Sequence, residues 1–229
     1  DRITEEWKIK SSIDLDYDEN YEELEDEKIT ATRKDFDIDL LTVKSLTKHL
    51  SIGSAGEFES NTYSNIKYSF HTSPAIEWNI FPYSEANRRE FSIRYNIGVG
   101  YSNYRDTTIY NKTKEFILNH SLNFNVEFKQ TWGEIDINVS GRNYFPDTDK
   151  NRLNIYNNIS LHLFQGFSLS IRGGAALIHD QISLAKGDVS DIDRLLHIRE
   201  LETDYSYWFG IGLEYTFGSI YNNIVNPRF

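Results

Sequence analysis

The feature that most constrains this chain is a strict period-2 alternation of apolar and polar residues that recurs from one end to the other. Near the end, Tyr207, Phe209, Ile211, Leu213, Tyr215 and Phe217 alternate with Trp208, Gly210, Gly212, Glu214 and Thr216. Successive side chains of a strand point to opposite faces, so the first set makes an apolar face and the second a small or polar one. The same reading gives Leu153, Ile155, Ile159, Leu161 and Leu163 against Arg152, Asn154, Tyr156, Asn158, Ser160 and His162. Leu118, Leu122, Phe124, Val126 and Phe128 stand against Asn119, Ser121, Asn123, Asn125 and Glu127, and Ile135, Ile137 and Val139 against Glu134, Asp136, Asn138 and Ser140. Alternation over this length belongs to strands and not to amphipathic helices.

Strands are expected over residues 6 to 17, 30 to 43, 49 to 59, 64 to 80, 90 to 104, 115 to 130, 133 to 145, 151 to 164, 167 to 179 and 204 to 217. Their connections alternate in length. Thr47-Lys48, Pro82 to Arg89, Trp132-Gly133 and Gln165-Gly166 read as turns on one side, whereas Asp18 to Lys28, Arg105 to Lys114 and Asp180 to Thr203 read as long loops on the other. Ten long antiparallel strands with short turns at one end and long loops at the other are the pattern of an outer-membrane-type β-barrel, periplasmic on the short-turn side. The expected fold class is therefore all-β, an antiparallel transmembrane β-barrel of about ten strands. Residues 1 to 217 form the barrel and residues 218 to 229 a C-terminal periplasmic extension.

Aromatic residues make up 14% of the chain, yet it has no apolar run approaching the ~20 residues a membrane-spanning helix requires. Alternation of lipid-facing and water-facing residues reconciles the two. Trp7, Trp78, Phe81, Phe128, Trp132, Phe164, Phe167 and Phe217 fall at the short-turn ends, and Tyr17, Tyr63, Tyr101, Tyr104, Phe116, Tyr144 and Tyr205 at the long-loop ends. Amphipathic rings settle at headgroup level, so two such girdles mark two membrane interfaces. A soluble sandwich would concentrate its aromatics in mid-strand. The net charge of -11 removes nucleic acid from the possible partners, and the absence of Cys removes disulfides, thiolate metal sites and Cys nucleophiles. The chain also has no Met and no signal segment, as expected of a processed product or a fragment.

The final strand, with Gly212, Tyr215 and Phe217 in an alternating apolar run, resembles the terminal signal read by the outer-membrane barrel assembly machinery. Together with residues 218 to 229, Phe81-Pro82-Tyr83-Ser84-Glu85 and Ile3-Thr4-Glu5-Glu6-Trp7-Lys8-Ile9, it resembles the C-terminal β-barrel of an uncharacterised Bacteroidota outer-membrane protein family. That resemblance implies a longer parent, with two more strands upstream of Asp1 and a barrel of about twelve. It brings no catalytic residues.

Alternation also fixes the lumen face, where Lys8, Lys10, Asp37, Asp39, Glu77, Arg94, Glu127, Arg142, Arg152, Arg172 and Glu214 are expected to form an ionic network. Counting from the turns pairs Glu77 with Arg94, Lys8 with Asp39 and Lys10 with Asp37. In so narrow a barrel side chains tend to fill the interior, so a paired polar core is expected over a wide channel. His71, His120, His162, His179 and His197, with Ser69, Ser121, Ser160 and Asp180 nearby in sequence, are the candidates for hydrolytic chemistry, and no spacing assembles a triad from them. Asp16, Asp18, Glu19, Glu22, Glu23, Glu25, Asp26 and Glu27 make the first loop acidic without the ordered spacing of a calcium loop. In the last loop Ser190 reads as an N-cap, with Asp191, Asp193, Arg194, His197 and Arg199 suiting a short helix and Ile192, Leu195 and Leu196 a lid or docking face.

The expected role is a non-enzymatic outer-membrane anchor or scaffold of an envelope protein or assembly. A porin-like small-solute channel comes second and an outer-membrane hydrolase third. Expected partners are outer-membrane lipid and surface glycolipid of a Gram-negative cell, the assembly machinery during biogenesis, and another envelope protein; no cofactor or metal is expected.

Overall fold

The structure is a computed structural model that describes residues 2–3, 6–24, 27–187 and 199–217. Eleven strands follow one another in the chain: β1 (Arg2–Ile3), β2 (Trp7–Leu24), β3 (Glu27–Ser45), β4 (Leu50–Asn61), β5 (Ile66–Asn79), β6 (Arg89–Tyr104), β7 (Lys114–Gln130), β8 (Gly133–Phe145), β9 (Asn151–Phe164), β10 (Phe167–Ile178) and β11 (Tyr205–Tyr215). They form one antiparallel sheet in sequence order, each strand hydrogen-bonded to the next. Ten of the eleven match the alternating segments of the sequence. Among the described residues no helix is long and apolar enough to cross a membrane.

The register carries the alternation coherently across the sheet. On one face the cross-strand row runs Asp39, Glu57, His71 and Gly100, and another runs Asn123, Ser140, Asn154 and Ala176. On the other face Ile38, Phe58 and Phe70 stand side by side, as do Ile137, Asn157, Gly173 and Phe209. The predicted faces of Ile137, Ile155, Phe209, Ile211 and Leu213, and of Asn138, Asn154, Ser160 and Glu214, are those observed.

Burial is inverted relative to a water-soluble protein. The apolar face is exposed, with Leu15 at 75%, Phe116 at 84% and Ile211 at 63% accessible. The buried residues are mostly polar: Ser51, Ser69, Asn79, Ser92, Ser102, Asn119 and Ser121 all lie on the other face.

The sheet is rolled about its polar face. The Arg142 guanidinium on β8 acts electrostatically on Glu57 of β4 and His71 of β5, and Lys8 of β2 acts on Glu77 of β5. In a flat sheet four strand spacings put the first pair of strands about 19 Å apart. Curvature brings them within reach across an interior. The rolled sheet remains open along one seam: β1 covers only Ile9 and Lys8 on the edge of β2, and no ladder joins β1 or β2 to β11.

Four expectations need correction. The acidic segment from Asp18 to Lys28 is not a loop through most of its length: β2 and β3 pair continuously as far as Leu24 and Glu27 and so stand beyond their neighbours. That longer hairpin changes the register, so Lys8 faces Val43 and Lys10 faces Leu41, while Asp39 faces Ser12 and Asp37 faces Asp14. The long loop ends are also uneven, because the connections at 62–65 and 146–150 are short turns. Tyr104 and Tyr144 leave the outer girdle, since Tyr104 is 4% exposed and its hydroxyl donates to the inward Glu115 at 2.7 Å, while Tyr144 pairs with Asn119 of the polar face. The expected helix at Ser190 to Arg199 and the extension at 218 to 229 fall, apart from Arg199, outside the described residues.

Candidate functional site

The polar interior is built from the inward residues of β2 to β11, and its charges are sorted by strand. Glu77 and Arg94 face each other as predicted, with 3.9 Å between Oε2 and Nη1. Glu127 pairs with Lys129, which also reaches Glu134 at 3.4 Å. Arg142 and Arg152 are directly opposed like charges. Each is answered elsewhere, Arg142 donating to the Tyr144 hydroxyl at 3.5 Å and Arg152 to Asp180 Oδ1 at 2.6 Å. The interior does not bring Lys10, Arg172 or Glu214 into an ion pair among the described residues: Arg172 faces Asn158 and Gly210, and Glu214 faces Ser168.

Acidic side chains dominate the wall formed by β2, β3 and β4. Asp14 opposes Asp37, Asp16 opposes Asp35, and beyond them Asp37 opposes Glu59 and Asp39 opposes Glu57. Ser12 donates to Asp39 at 3.2 Å, and Arg33 reaches Asp35 at 3.2 Å. Like charges directly across a ladder are unfavourable. The wall therefore presents a negative potential to the interior, opposite the arginines of β8 and β9. Glu57 and Glu59 follow from the same alternation as their neighbours, so their place on this wall could have been read from the sequence.

Close packing at glycines fills part of the interior. A Cβ built on Gly100 would stand 2.5 Å from the His71 ring, and one on Gly174 would stand 2.5 Å from the indole nitrogen of Trp208. Glycine at these two positions lets a large ring lie flat against the opposing backbone. His71 thus rests on β6 with Glu57 beside it in register, and no serine of the sequence-based candidates approaches it as a nucleophile in a hydrogen bond. Ser69 bonds instead to Ser102 at 2.8 Å. His120 is on the apolar face against Tyr95 and Phe145, and His179 contacts Asn151. Among the described residues no three His, Asp or Glu side chains converge as a metal-binding group.

Connections fold over the polar face at both ends. At the short-turn end the connection from β5 to β6 folds inward through the 3-10 turn Tyr83–Glu85, fastened by Tyr83 N–H donating to Lys48 C=O at 2.9 Å. Burial, reinforced by the carboxylates of Glu77 and Glu90 and opposed by the neighbouring Ser51 hydroxyl, pushes the Tyr83 phenol above its ordinary pKa. Those three residues all belong to the inward face, so the ring lies over the inward side of β4 to β6 at this end.

At the other end, the described parts of the β10–β11 connection lie across the mouth. Ile109 N–H donates to Leu184 C=O at 2.9 Å, Lys186 N–H to Thr107 C=O at 2.8 Å, and Glu200 N–H to Tyr63 C=O at 3.0 Å. Asn65, at φ +61°, is the latch: its Nδ2 donates to Asp106 C=O at 3.0 Å and Ser183 C=O at 2.8 Å, while its Oδ1 accepts from Asp106 N–H at 2.8 Å. Thr108 beneath is fully buried and Leu184 nearly so. Asn is among the few residues that adopt this left-handed geometry readily, which is the one local signal in the sequence for the latch. Tyr83 carries no such signal.

Beside the latch, Tyr110, Asp147, Lys150, His179 and Glu202 help line a cavity of about 330 Å³. Lys150 Nζ sits 3.8 Å above the Tyr110 ring and 3.7 Å from Asp147. Burial first, and then Asp147, Glu202, Asp180 and Glu115, raise the Tyr110 phenol.

No family model, curated protein or solved structure matches this chain.

Proposed function

We propose that this chain forms a closed β-barrel in the outer membrane of a Gram-negative bacterium and acts there as a non-enzymatic anchor or scaffold. The observation that carries the reading is the inverted burial: large apolar side chains are exposed along β2 to β11 while serines and asparagines are buried on the opposite face. Exposed apolar bands of this extent are costly in water and suit hydrocarbon. The connections folded over the polar face at both ends favour a filled interior over a porin-like channel.

Closure follows from the same physics, because unpaired backbone groups in hydrocarbon cost several kcal/mol each, as an order of magnitude. β11 runs antiparallel to β2 and parallel to β1. An antiparallel closure therefore uses either a direct β2–β11 ladder, with β1 displaced, or a lengthened β1 and one further strand. The first makes ten strands and the second twelve, and both satisfy the even count of such barrels. Displaying another part of an envelope protein or assembly then needs only the rim and the ends of the chain.

Nitroxide labels placed one at a time in the full chain, inserted into phospholipid vesicles, test the placement. Labels at Ile137, Ile155, Ile211 and Leu213 are expected to be accessible to oxygen in the hydrocarbon, and those at Asn138, Asn154, Ser160 and Glu214 to be shielded from it. The reverse pattern, or no insertion, would sink the reading, since a shift of one residue inverts every side chain.

A further inference from the structure

The outward face of β3 to β7 carries an unbroken chain of six rings near the long-loop end. Phe36 and Phe58 have centroids 5.6 Å apart, Phe58 and Phe70 4.8 Å, Tyr68 and Phe70 6.3 Å, Tyr68 and Tyr101 6.4 Å, and Tyr101 and Phe116 5.1 Å. Directly beyond this belt the same face turns basic. Lys34 stands two residues from Phe36 and Lys114 two residues from Phe116, so each shares the face of its ring. Arg105 follows β6 and lies over the β4–β5 turn, its Nε donating to Ile66 C=O and its Nη2 to Ser60 Oγ, both at 3.2 Å.

Ser60 faces outward opposite Phe36, and Lys34 is joined through its backbone to Thr62, two residues further along the same strand edge. Lys34 and Arg105 therefore flank one hydroxyl at the top of the belt. All three cations are exposed. The neighbouring carboxylates Asp35, Glu59 and Glu115 point to the inward face, as their register shows. On the neighbouring strand the outward Glu19 accepts a hydrogen bond from the Tyr17 hydroxyl, and Lys34 lies 5.6 Å above the Tyr17 ring. In a chain of net charge -11, a spot of outward cations set just beyond a ring belt is contrary to the overall composition.

We propose that Arg105, Lys34 and Ser60 form a binding site for the phosphate of an anionic membrane lipid, with its acyl chains lying along Phe36, Phe58 and Phe70. This rests on the membrane reading given above. Rings of this kind lie at headgroup level, where lipid phosphates are found. A guanidinium presents several donors in a planar fork that matches phosphate oxygens, and the Ile66 carbonyl and Ser60 hydroxyl hold this one through Nε and Nη2, while Nη1 has no hydrogen-bond partner among the described residues. The Lys34 ammonium adds a second charge, and Lys114 supplies a third further along the rim. The acidic hairpin next to the site would repel a phosphate without these cations, which gives the site its position on the wall.

The full chain reconstituted in phosphatidylcholine vesicles containing a minor fraction of phosphatidic acid, and then analysed by native mass spectrometry, tests the site. The wild type is expected to retain phosphatidic acid in preference to phosphatidylcholine. Lys34→Gln and Arg105→Gln should each lower that preference about fivefold, the effect of removing one cation near a membrane surface. Arg105→Lys should fall between, because it keeps the charge and loses the fork. Lys44→Gln, at the opposite rim, should leave the preference unchanged. Equal retention of the two lipids by wild type, or an equal loss in Lys44→Gln, overturns the site. Displacement of the lipid by inorganic phosphate, without dependence on the acyl chains, assigns the site to free phosphate and overturns the lipid. Failure of the wild-type chain to float with the vesicles overturns the membrane reading itself, and this is read before any lipid is counted.

Discussion

The shortest ion pair on the polar face that reaches a buried carboxylate joins Arg152 to Asp180, at 2.6 Å with the Asp180 side chain only 3% exposed. Removing the arginine leaves a buried charge without its partner, which costs about 3 kcal/mol or more. Arg152→Ala is expected to lose that much in urea unfolding from vesicles, and Arg152→Ala/Asp180→Asn to recover most of it. Equal and additive losses would show that water reaches Asp180. Glu77 and Arg94 behave differently, since their 3.9 Å contact with Arg94 half exposed limits the pair to roughly 1 kcal/mol or less. Tyr110 supplies a pH-dependent case. Its phenol is raised by burial and by the carboxylates around it, so the folded state holds the proton more tightly than the unfolded chain. Stability from this group is complete below the unfolded value of about 10 and falls as pH rises through the folded one. In an ultraviolet titration Tyr110 should be among the tyrosines that ionise late, and Tyr110→Phe should reduce the amplitude of that late step by one residue; an unchanged profile would contradict the assignment.

At the scale of elements, the latch decides whether the far mouth is sealed. Asn65 joins the β4–β5 turn to the β6–β7 and β10–β11 connections through three hydrogen bonds. Asn65→Gly keeps the positive φ and removes the side-chain amide, leaving part-buried backbone groups of Asp106 and Ser183 without that partner at a cost of about 1 kcal/mol. In planar bilayers the wild type is expected to be nearly silent and Asn65→Gly to show intermittent openings. Steady ion-selective conductance in the wild type would favour the channel instead. The acidic wall of β2 to β4 predicts that any such current prefers cations.

For the whole molecule the open seam is the decisive feature. Amide hydrogen exchange in vesicles should protect β2 and β11 as strongly as the central pair β6 and β7, because closure leaves no edge in the membrane. Fast exchange confined to the outward-pointing amides of β11 would mean that the seam stays open there. The two ends of the sheet also differ in build: at one a short turn sets a single tyrosine against the inward face of β4 to β6, and at the other described segments of a long connection are tied to two others.

The sequence by itself determined the strands, their antiparallel succession and the face of nearly every side chain, because each of these depends on local alternation and turn length. Glu77 facing Arg94 was legible for that reason, since a short turn of definite length lies between them. Lys8 with Asp39 was not, because the acidic segment that separates them could be either loop or hairpin, and its continuation as strand displaced the register by four residues. The tertiary structure alone decided what meets across the interior. Arg152 with Asp180, Asn65 with Ser183, and Arg142 beside Glu57 are separated by whole strands or loops, so their approach depends on how tightly the sheet rolls. Rolling is set by twist and packing summed over all the strands, and no local pattern encodes that sum.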